Sequence, residues 1–250
     1  MFELNKIYCG DCLEVMKEIP DKSIDMILCD LPYGTTACKW DTIIPFEPLW
    51  EQYKRIIKDN GAIVLTASQP FTSALVMSNI KMFKYCLVWN KVKAGNFLTA
   101  KIKPMISHED ICIFSSGATA NCSKRNMKFN PQLEKREKII KYKKGKDSEL
   151  YARKNTISKQ YTSDFKYPKS ILTFNKQNGL HPTQKPVALF EYLIKTYTNE
   201  GDLVLDNCAG SGTTGVACKN LNRNFILIEK EPQYVKICEE RIKSLPTKLF

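Results

Sequence analysis

Residues 203–229 constrain the fold more than any other stretch. Leu203–Leu205 reads as a buried strand ended by Asp206. Asn207-Cys208-Ala209-Gly210-Ser211-Gly212-Thr213-Thr214-Gly215 follows, with Gly210, Gly212 and Gly215 in G-x-G-x-x-G spacing. A helix is predicted from Thr213, then a strand over Phe225–Ile228 closed by Glu229. In this order the elements make a βαβ crossover, the building block of parallel sheets. Glycine permits a tight turn and close backbone approach to a ligand, and the terminal carboxylate is placed to accept hydrogen bonds from ribose hydroxyls. The unit points to an adenosine-containing cofactor, and NAD and S-adenosylmethionine both qualify. Too little chain follows Glu229 for a second mononucleotide half in the usual order. Asp206 would also repel a pyrophosphate, whereas it could bind an ammonium. The electrostatics favour S-adenosylmethionine, which offers an amine, a ribose and no phosphate.

A second strand end stands near the start of the chain. Met26–Cys29 is an apolar run too short for a helix, followed by Asp30-Leu31-Pro32-Tyr33-Gly34. Pro32 cannot continue a sheet ladder, and Gly34 lets the chain turn away. A carboxylate, two backbone carbonyls and an aromatic ring are thereby fixed at a strand's C-terminal end, the edge where open α/β sheets bind ligands. Taken alone, these residues are a strand leaving into a proline turn.

The remaining pattern alternates. Strands are expected at Ile7–Cys9, Ala62–Thr66, Tyr85–Trp89 and Glu109–Phe114. Helices are expected at Cys12–Ile19, Phe46–Ile57 (capped by Asn60-Gly61), Pro70–Ile80, Pro186–Tyr197 and Pro232–Ser244. Such alternation predicts an α/β protein with a mostly parallel sheet covered on both faces. No apolar run is long enough to span a membrane, so a soluble, non-exported protein is expected. Cys29, Cys86, Cys112 and Cys208 sit inside apolar runs as small hydrophobes, and the single C-x-x-C, Cys9 to Cys12, lacks a second pair, so no metal site is expected.

The net charge of +12 is concentrated: residues 121–170 hold 15 Lys and Arg against 5 Asp and Glu. Aromatics interleave there (Phe129, Tyr142, Tyr151, Tyr161, Phe165, Tyr167), which fits a small appended module that binds a polyanion better than a disordered tail.

Three stretches occur in order: DLPYG at 30–34, HPTQKP at 181–186 and DNCAGSGTT at 206–214, flanked by GDC at 10–12, KWD at 39–41 and HEDICIF at 108–114. Together they resemble the β-class exocyclic-amino DNA methyltransferases, the adenine-N6 members most. The resemblance implies a Rossmann-like fold with a circularly permuted seven-stranded sheet and an inserted basic target-recognition region. Residues 1–115 would form the catalytic half, 116–170 the insertion and 171–250 the cofactor-binding half. The implied reaction moves a methyl group from S-adenosylmethionine to adenine N6 in duplex DNA by base flipping and in-line transfer. Asp30, the Leu31 carbonyl, Pro32 and Tyr33 would carry the chemistry, with Tyr33 stacking on the extruded base. Asp11 and Cys12 would flank the cofactor adenine, Glu229 would bind its ribose, and Asp206, Gly210, Gly212 and Thr213 would wrap its methionine portion beside Asp30. Thr183 and Lys185 would approach its carboxylate, and His181 would support the loop. Lys124, Arg125, Lys128 and Arg136 would hold phosphates, Asn126, Asn130 and Gln132 would meet base edges, and Trp40 would close over the base or pack in the core. Leu31 stands where the family more often has proline. The resemblance also implies duplex DNA as partner and the cytoplasm of a bacterial or phage-infected cell. It allows a homodimer and an accompanying restriction endonuclease. Cytosine-N4 transfer, an RNA or protein substrate, and a non-catalytic DNA-binding relative stay open as alternatives.

Overall fold

The structure is a computed structural model that describes residues 3–36, 38, 41–121, 123–141, 162–177 and 184–246. It falls into two compact units, residues 1–130 with 170–250, and residues 131–169.

In the larger unit the chain runs β1 (Lys6–Cys9), α1 (Cys12–Lys17), β2 (Ile24–Asp30), α2 (Phe46–Ile56), β3 (Ile57–Ala67), α3 (Phe71–Ser78), β4 (Phe83–Gly95) and β5 (Ile106–Phe114). The smaller unit holds β6 (Glu134–Lys141) and β7 (Thr162–Lys166). The larger unit resumes with β8 (Ile171–Thr173), α4 (Val187–Tyr197), β9 (Leu203–Asp206), α5 (Thr213–Asn220), β10 (Asn224–Glu229) and α6 (Pro232–Lys243). Among the described residues its sheet has eight strands, one more than expected, in the order β1-β10-β9-β2-β3-β5-β4-β8. The extra member is the three-residue edge strand β8, too short to stand out in the sequence. All neighbours pair in parallel except at β5, which is antiparallel to both β3 and β4. The first strand thus lies beside the last: Cys9 is opposite Glu229, which brings the Asp11 end of the chain to the C-terminal βαβ unit.

Continuous apolar runs form strands here because both sheet faces are covered. Met26 and Leu28 point into one core with Leu189, Phe190, Leu193 and Ile194 of α4. Ile27 and Cys29, one residue out of phase, point into the other with Leu49, Trp50, Tyr53 and Ile56 of α2. Leu31 is buried in this second core, so its side chain fills space that a proline would leave less completely packed.

One expected boundary is corrected. Helix α2 ends at Ile56 and β3 begins at Ile57, so Asn60-Gly61 is no helix cap. Ile24 lies opposite Ile57 but Met26 opposite Ala62, so β3 bulges over the residues between. A Cβ at Gly61 would come within 2.8 Å of the Asp25 carbonyl oxygen, and that close approach is what requires glycine.

The basic segment is also divided. Residues 115–121 and 123–130 run along the amino-terminal edge of the parallel strands, where Ser115 Oγ donates to the Gly61 carbonyl and the Lys128 N–H to that of Asn60. Lys128 Nζ lies 2.6 Å from Asp202, before β9, and 3.4 Å from Asp25 near the start of β2. Asp25 is buried and also binds Lys58 Nζ at 2.7 Å and the Leu203 N–H at 3.1 Å. Burial works to raise the Asp25 pKa, but the Lys58, Leu203 and Lys128 contacts overcome it and hold the carboxyl below its usual range. Asp25→Ala removes a carboxylate shared by the partly exposed Lys58 and by Lys128, which keeps Asp202, and is expected to cost about 2 kcal/mol in urea unfolding. Lys124→Ala, at an exposed position, is expected to stay within about 0.5 kcal/mol.

Candidate active site

The C-terminal ends of β2, β9 and β10 open into a cleft of about 1070 Å³. Asp11, Cys12, Asp30, Leu31, Pro32, Tyr33, Lys185, Asp206, Gly210, Thr213 and Glu229 all line it, so the two strand ends singled out in the sequence face one space. Gly212 lies behind the wall and shapes it. Its φ is +78°, and a Cβ there would overlap Cys238 Sγ of α6. Thr183, His181 and Trp40 lie outside the described residues.

Asp30 is held by three donors from three elements. The Tyr33 hydroxyl donates to Oδ1 at 2.8 Å, and Thr66 Oγ1, directly opposite on β3, donates to the same oxygen. The Lys185 ammonium donates to Oδ2 at 2.6 Å. An oxygen of an ionised carboxylate accepts about two hydrogen bonds. Oδ1 is therefore saturated, and Oδ2 keeps one acceptor position. Tyr33 stacks on Phe71, ring centroids 5.2 Å apart, and burial followed by the Asp30 charge raises its pKa well above the phenol range.

Lys185, which the resemblance places near a cofactor carboxylate, is buried in the cleft between Asp30 and Glu109, whose Oε2 is 3.3 Å away. Glu109 Oε1 in turn meets Lys91 Nζ at 3.1 Å. Two carboxylates in a poorly solvated place attract the nearest cation more strongly than a mobile ligand would. Burial works against the charged form of Lys185, but Asp30 and Glu109 outweigh it and hold its pKa above the usual lysine range. The chain Asp30–Lys185–Glu109–Lys91 is formally neutral. Thr66, Glu109 and Lys91 had no sequence-level role. The signal for Thr66 was its place at the end of the strand next to β2, and for Glu109 its place in HEDICIF.

Asp41 clamps the turn that follows Tyr33. Its carboxylate accepts the N–H groups of Gly34 at 2.9 Å, Thr35 at 2.9 Å and Thr36 at 2.7 Å. These bonds hold its pKa below the carboxylate norm even though burial raises it.

On the other side of the cleft, Glu229 accepts the Gly210 N–H at Oε2 and the Glu231 N–H at Oε1, each at 2.8 Å. Each oxygen retains one lone pair. Asp206 accepts Thr214 Oγ1 and the Cys208 N–H, which ties the glycine turn to its strand. Arg241 of α6 supports the turn from behind through Ser211 and Thr213. Asp11 caps α1 through the Leu13 N–H at 2.9 Å. Cys12 lies against Cys208, which together with burial holds its thiol well above the usual range. Among the described residues, no group of three or more His, Cys, Asp or Glu is arranged to hold a metal ion.

Of the expected DNA contacts described in the larger unit, none lines this cleft. Lys128 is spent on Asp25 and Asp202, and Asn130 donates to the Lys195 and Thr198 carbonyls and to Asn199. Lys124 and Arg125 are exposed on the same segment, along the opposite edge of the sheet. Arg136 belongs to the smaller unit, where its Nε donates to the Phe165 carbonyl at 2.9 Å.

A cofactor-type βαβ end and an Asp-Leu-Pro-Tyr strand end in one cleft define an amino-group methylase. The family model described as DNA methylase, for N6 and N4 methyltransferases, matches residues 24–240, and the chain belongs to that family. The DNA adenine methyltransferase YhdJ of Escherichia coli is 30% identical over 96% of this chain and 83% of its own. Type II methyltransferase M.HpaI of Haemophilus parainfluenzae is 29% identical over 96% of this chain and 74% of its own. The solved structure of an M1.HpyAVI–SAM complex superposes with a TM-score of 0.62 at 25% identity, covering 94% of this chain and 98% of that one. PvuII DNA methyltransferase, cytosine-N4-specific, shares the fold with a TM-score of 0.67 at 17% identity, covering 98% of this chain and 87% of its own.

Burial pushes the Asp206 carboxyl up to about 7, against the pull of Thr214 and Cys208. The folded state then holds a proton that the unfolded chain releases near pH 4, so stability from this group falls as pH rises from about 4 to about 7. Asp206→Asn should flatten that part of the profile, by on the order of 4 kcal/mol across the window, in chemical denaturation of the ligand-free protein.

Proposed function

We propose that this cleft methylates the N6 amino group of adenine in duplex DNA, with S-adenosylmethionine as donor. The observation that carries the reading is Asp30: a carboxylate at the sheet edge whose Oδ1 is saturated and whose Oδ2, bonded to Lys185, keeps one acceptor position, in the cleft that Glu229 and Asp206 also line. The aspartate, and the adenine methyltransferases among the relatives, favour adenine over cytosine.

The residues fit the donor. Glu229 has a lone pair on each oxygen for ribose hydroxyls. Asp206, buried with a carboxyl near 7, is stabilised in its charged form by an incoming ammonium. Asp11 and Cys12 bound the cleft beside Glu229, where the adenine ring would lie. Lys185, occupied by Asp30 and Glu109, is not counted among the residues that hold the donor. When bound, S-adenosylmethionine supplies a methyl group already activated by its sulfonium.

The protein's task is then to prepare the nitrogen. Adenine N6 is a weak nucleophile because its lone pair is delocalised into the ring. Asp30 Oδ2 would accept one N–H and the Leu31 carbonyl the other, turning the lone pair out of the ring plane towards the methyl group. As the N–C bond forms, the surplus proton leaves N6 along the contact to Oδ2. Pro32 fixes the two acceptors relative to one another, Asp41 closes the turn behind them, and Tyr33 offers a ring wall for an extruded base. Alignment of this kind contributes several kcal/mol to a barrier.

Asp30→Ala is expected to lower transfer of labelled methyl from S-adenosylmethionine to unmethylated bacterial duplex DNA by about 1000-fold, equivalent to about 4 kcal/mol. Calorimetry should find donor binding within about fivefold of wild type. Full transfer by the variant would refute the assignment of Asp30.

A further inference from the structure

Within the larger unit, Lys128 of the basic segment is paired with Asp25 and Asp202 at the far edge of the sheet, and the cleft rim carries another cationic loop. Strand β4 runs parallel to β3, so the connection from β4 to β5 emerges at the same sheet edge as Asp30. Gly95, Asn96, Lys103 and Ile106 of this connection line the cleft. Residues 91–107 contain four lysines and no acidic residue.

The tip is apolar and solvent-facing. Phe97 is 78% exposed, Leu98 95% and Ile102 84%, a density of bare apolar side chains that marks an interaction site. The tip is also built. Asn90 Oδ1 accepts the Val92 N–H at 3.1 Å, and Val92 and Asn96 take left-handed backbone conformations. Phe97–Thr99 forms one 3-10 turn, and the Thr99 carbonyl accepts the N–H groups of Ile102 and Lys103. Order of this sort reduces the entropy cost of presenting the tip to a partner. At its base, Lys91 is buried on Glu109, which joins the loop to the charge chain ending at Asp30.

We propose that residues 92–105 are the element that engages the duplex at the target base. Phe97 and Leu98 enter the base stack where the target nucleotide leaves it, and Lys93, Lys101 and Lys103 hold flanking phosphates. Apolar side chains that wedge between base steps offset the loss of stacking, and lysines supply the salt-dependent part of affinity. An acid-free cationic loop on the rim of a base-modifying cleft matches a polyanion with π-faces. The proposal rests on the DNA-methylation reading.

The test compares full-length wild type with F97A/L98A, Phe97→Met and K101A/K103A on unmethylated duplex plasmid. For F97A/L98A, kcat/KM for methyl transfer should fall at least tenfold. S-adenosylmethionine binding should stay within about twofold, and the sedimentation coefficient should not change. Phe97→Met should retain most activity, because it keeps an apolar wedge. For K101A/K103A, plasmid affinity should weaken and the slope of log affinity against log salt should shrink by about 1–2. Wild-type transfer rates in F97A/L98A would overturn the proposal. So would lost cofactor binding, or dissociation of an oligomer with DNA affinity intact, which would make the loop a contact between copies. A wild-type arm that methylates RNA or protein and not plasmid would refute the DNA reading itself, separately from the loop.

Discussion

The ion pair between Lys185 and Asp30 joins residues 155 positions apart, and the functional edge of the protein is organised by it. Two charges taken out of water cost more than their mutual attraction returns unless other partners complete them. Here they are completed. Thr66 and Tyr33 occupy the far oxygen of Asp30, while Glu109 and then Lys91 extend the pairing to a neutral chain of four. Such an arrangement fixes a carboxylate in one orientation, at the cost of stability that an apolar replacement would have supplied. It also demands the strand order observed. Asp30 and Thr66 must end neighbouring strands, and the segment before α4 must cross the same edge.

Much of this was legible in the chain, for reasons that name themselves. Runs such as Met26–Cys29 and Phe225–Ile228 stand out because strands buried on both faces are continuously apolar. The faces of α2 and α4 stand out through their helical spacing, and the glycine turn through backbone demands that glycine meets, a positive φ at Gly210 and Gly212. The antiparallel direction of β5 was hidden, since an apolar run reads the same in either sense. Gly61 looked like a helix cap because a bulge and a cap both call for glycine. The pairing of Lys185 with Asp30 and Glu109 was hidden because an ion pair depends on which strand ends meet, information that lies in tertiary structure alone. Lys128 and Asn130 read as contacts to phosphates and base edges in a basic stretch, yet their partners here, Asp25, Asp202 and the end of α4, come from remote parts of the chain.

Charge density and proximity to Asp30 single out different parts of this chain. Residues 131–169 form a compact unit whose described strands pair through Lys166–Glu134 and the Arg136–Phe165 bond. The segment just before it spends its central lysine on the protein's own carboxylates. The loop after β4, modest in charge, lines the same cleft as Asp30.

The central claim is that this edge delivers a methyl group to an exocyclic amine of DNA, and that the amine is adenine N6. Mass spectrometry of nucleosides digested from DNA of a methylation-deficient bacterial host expressing the wild-type chain tests it directly. The account predicts N6-methyldeoxyadenosine, absent from the same host without the protein. N4-methyldeoxycytidine in its place, or unmodified DNA despite folded protein, would contradict it.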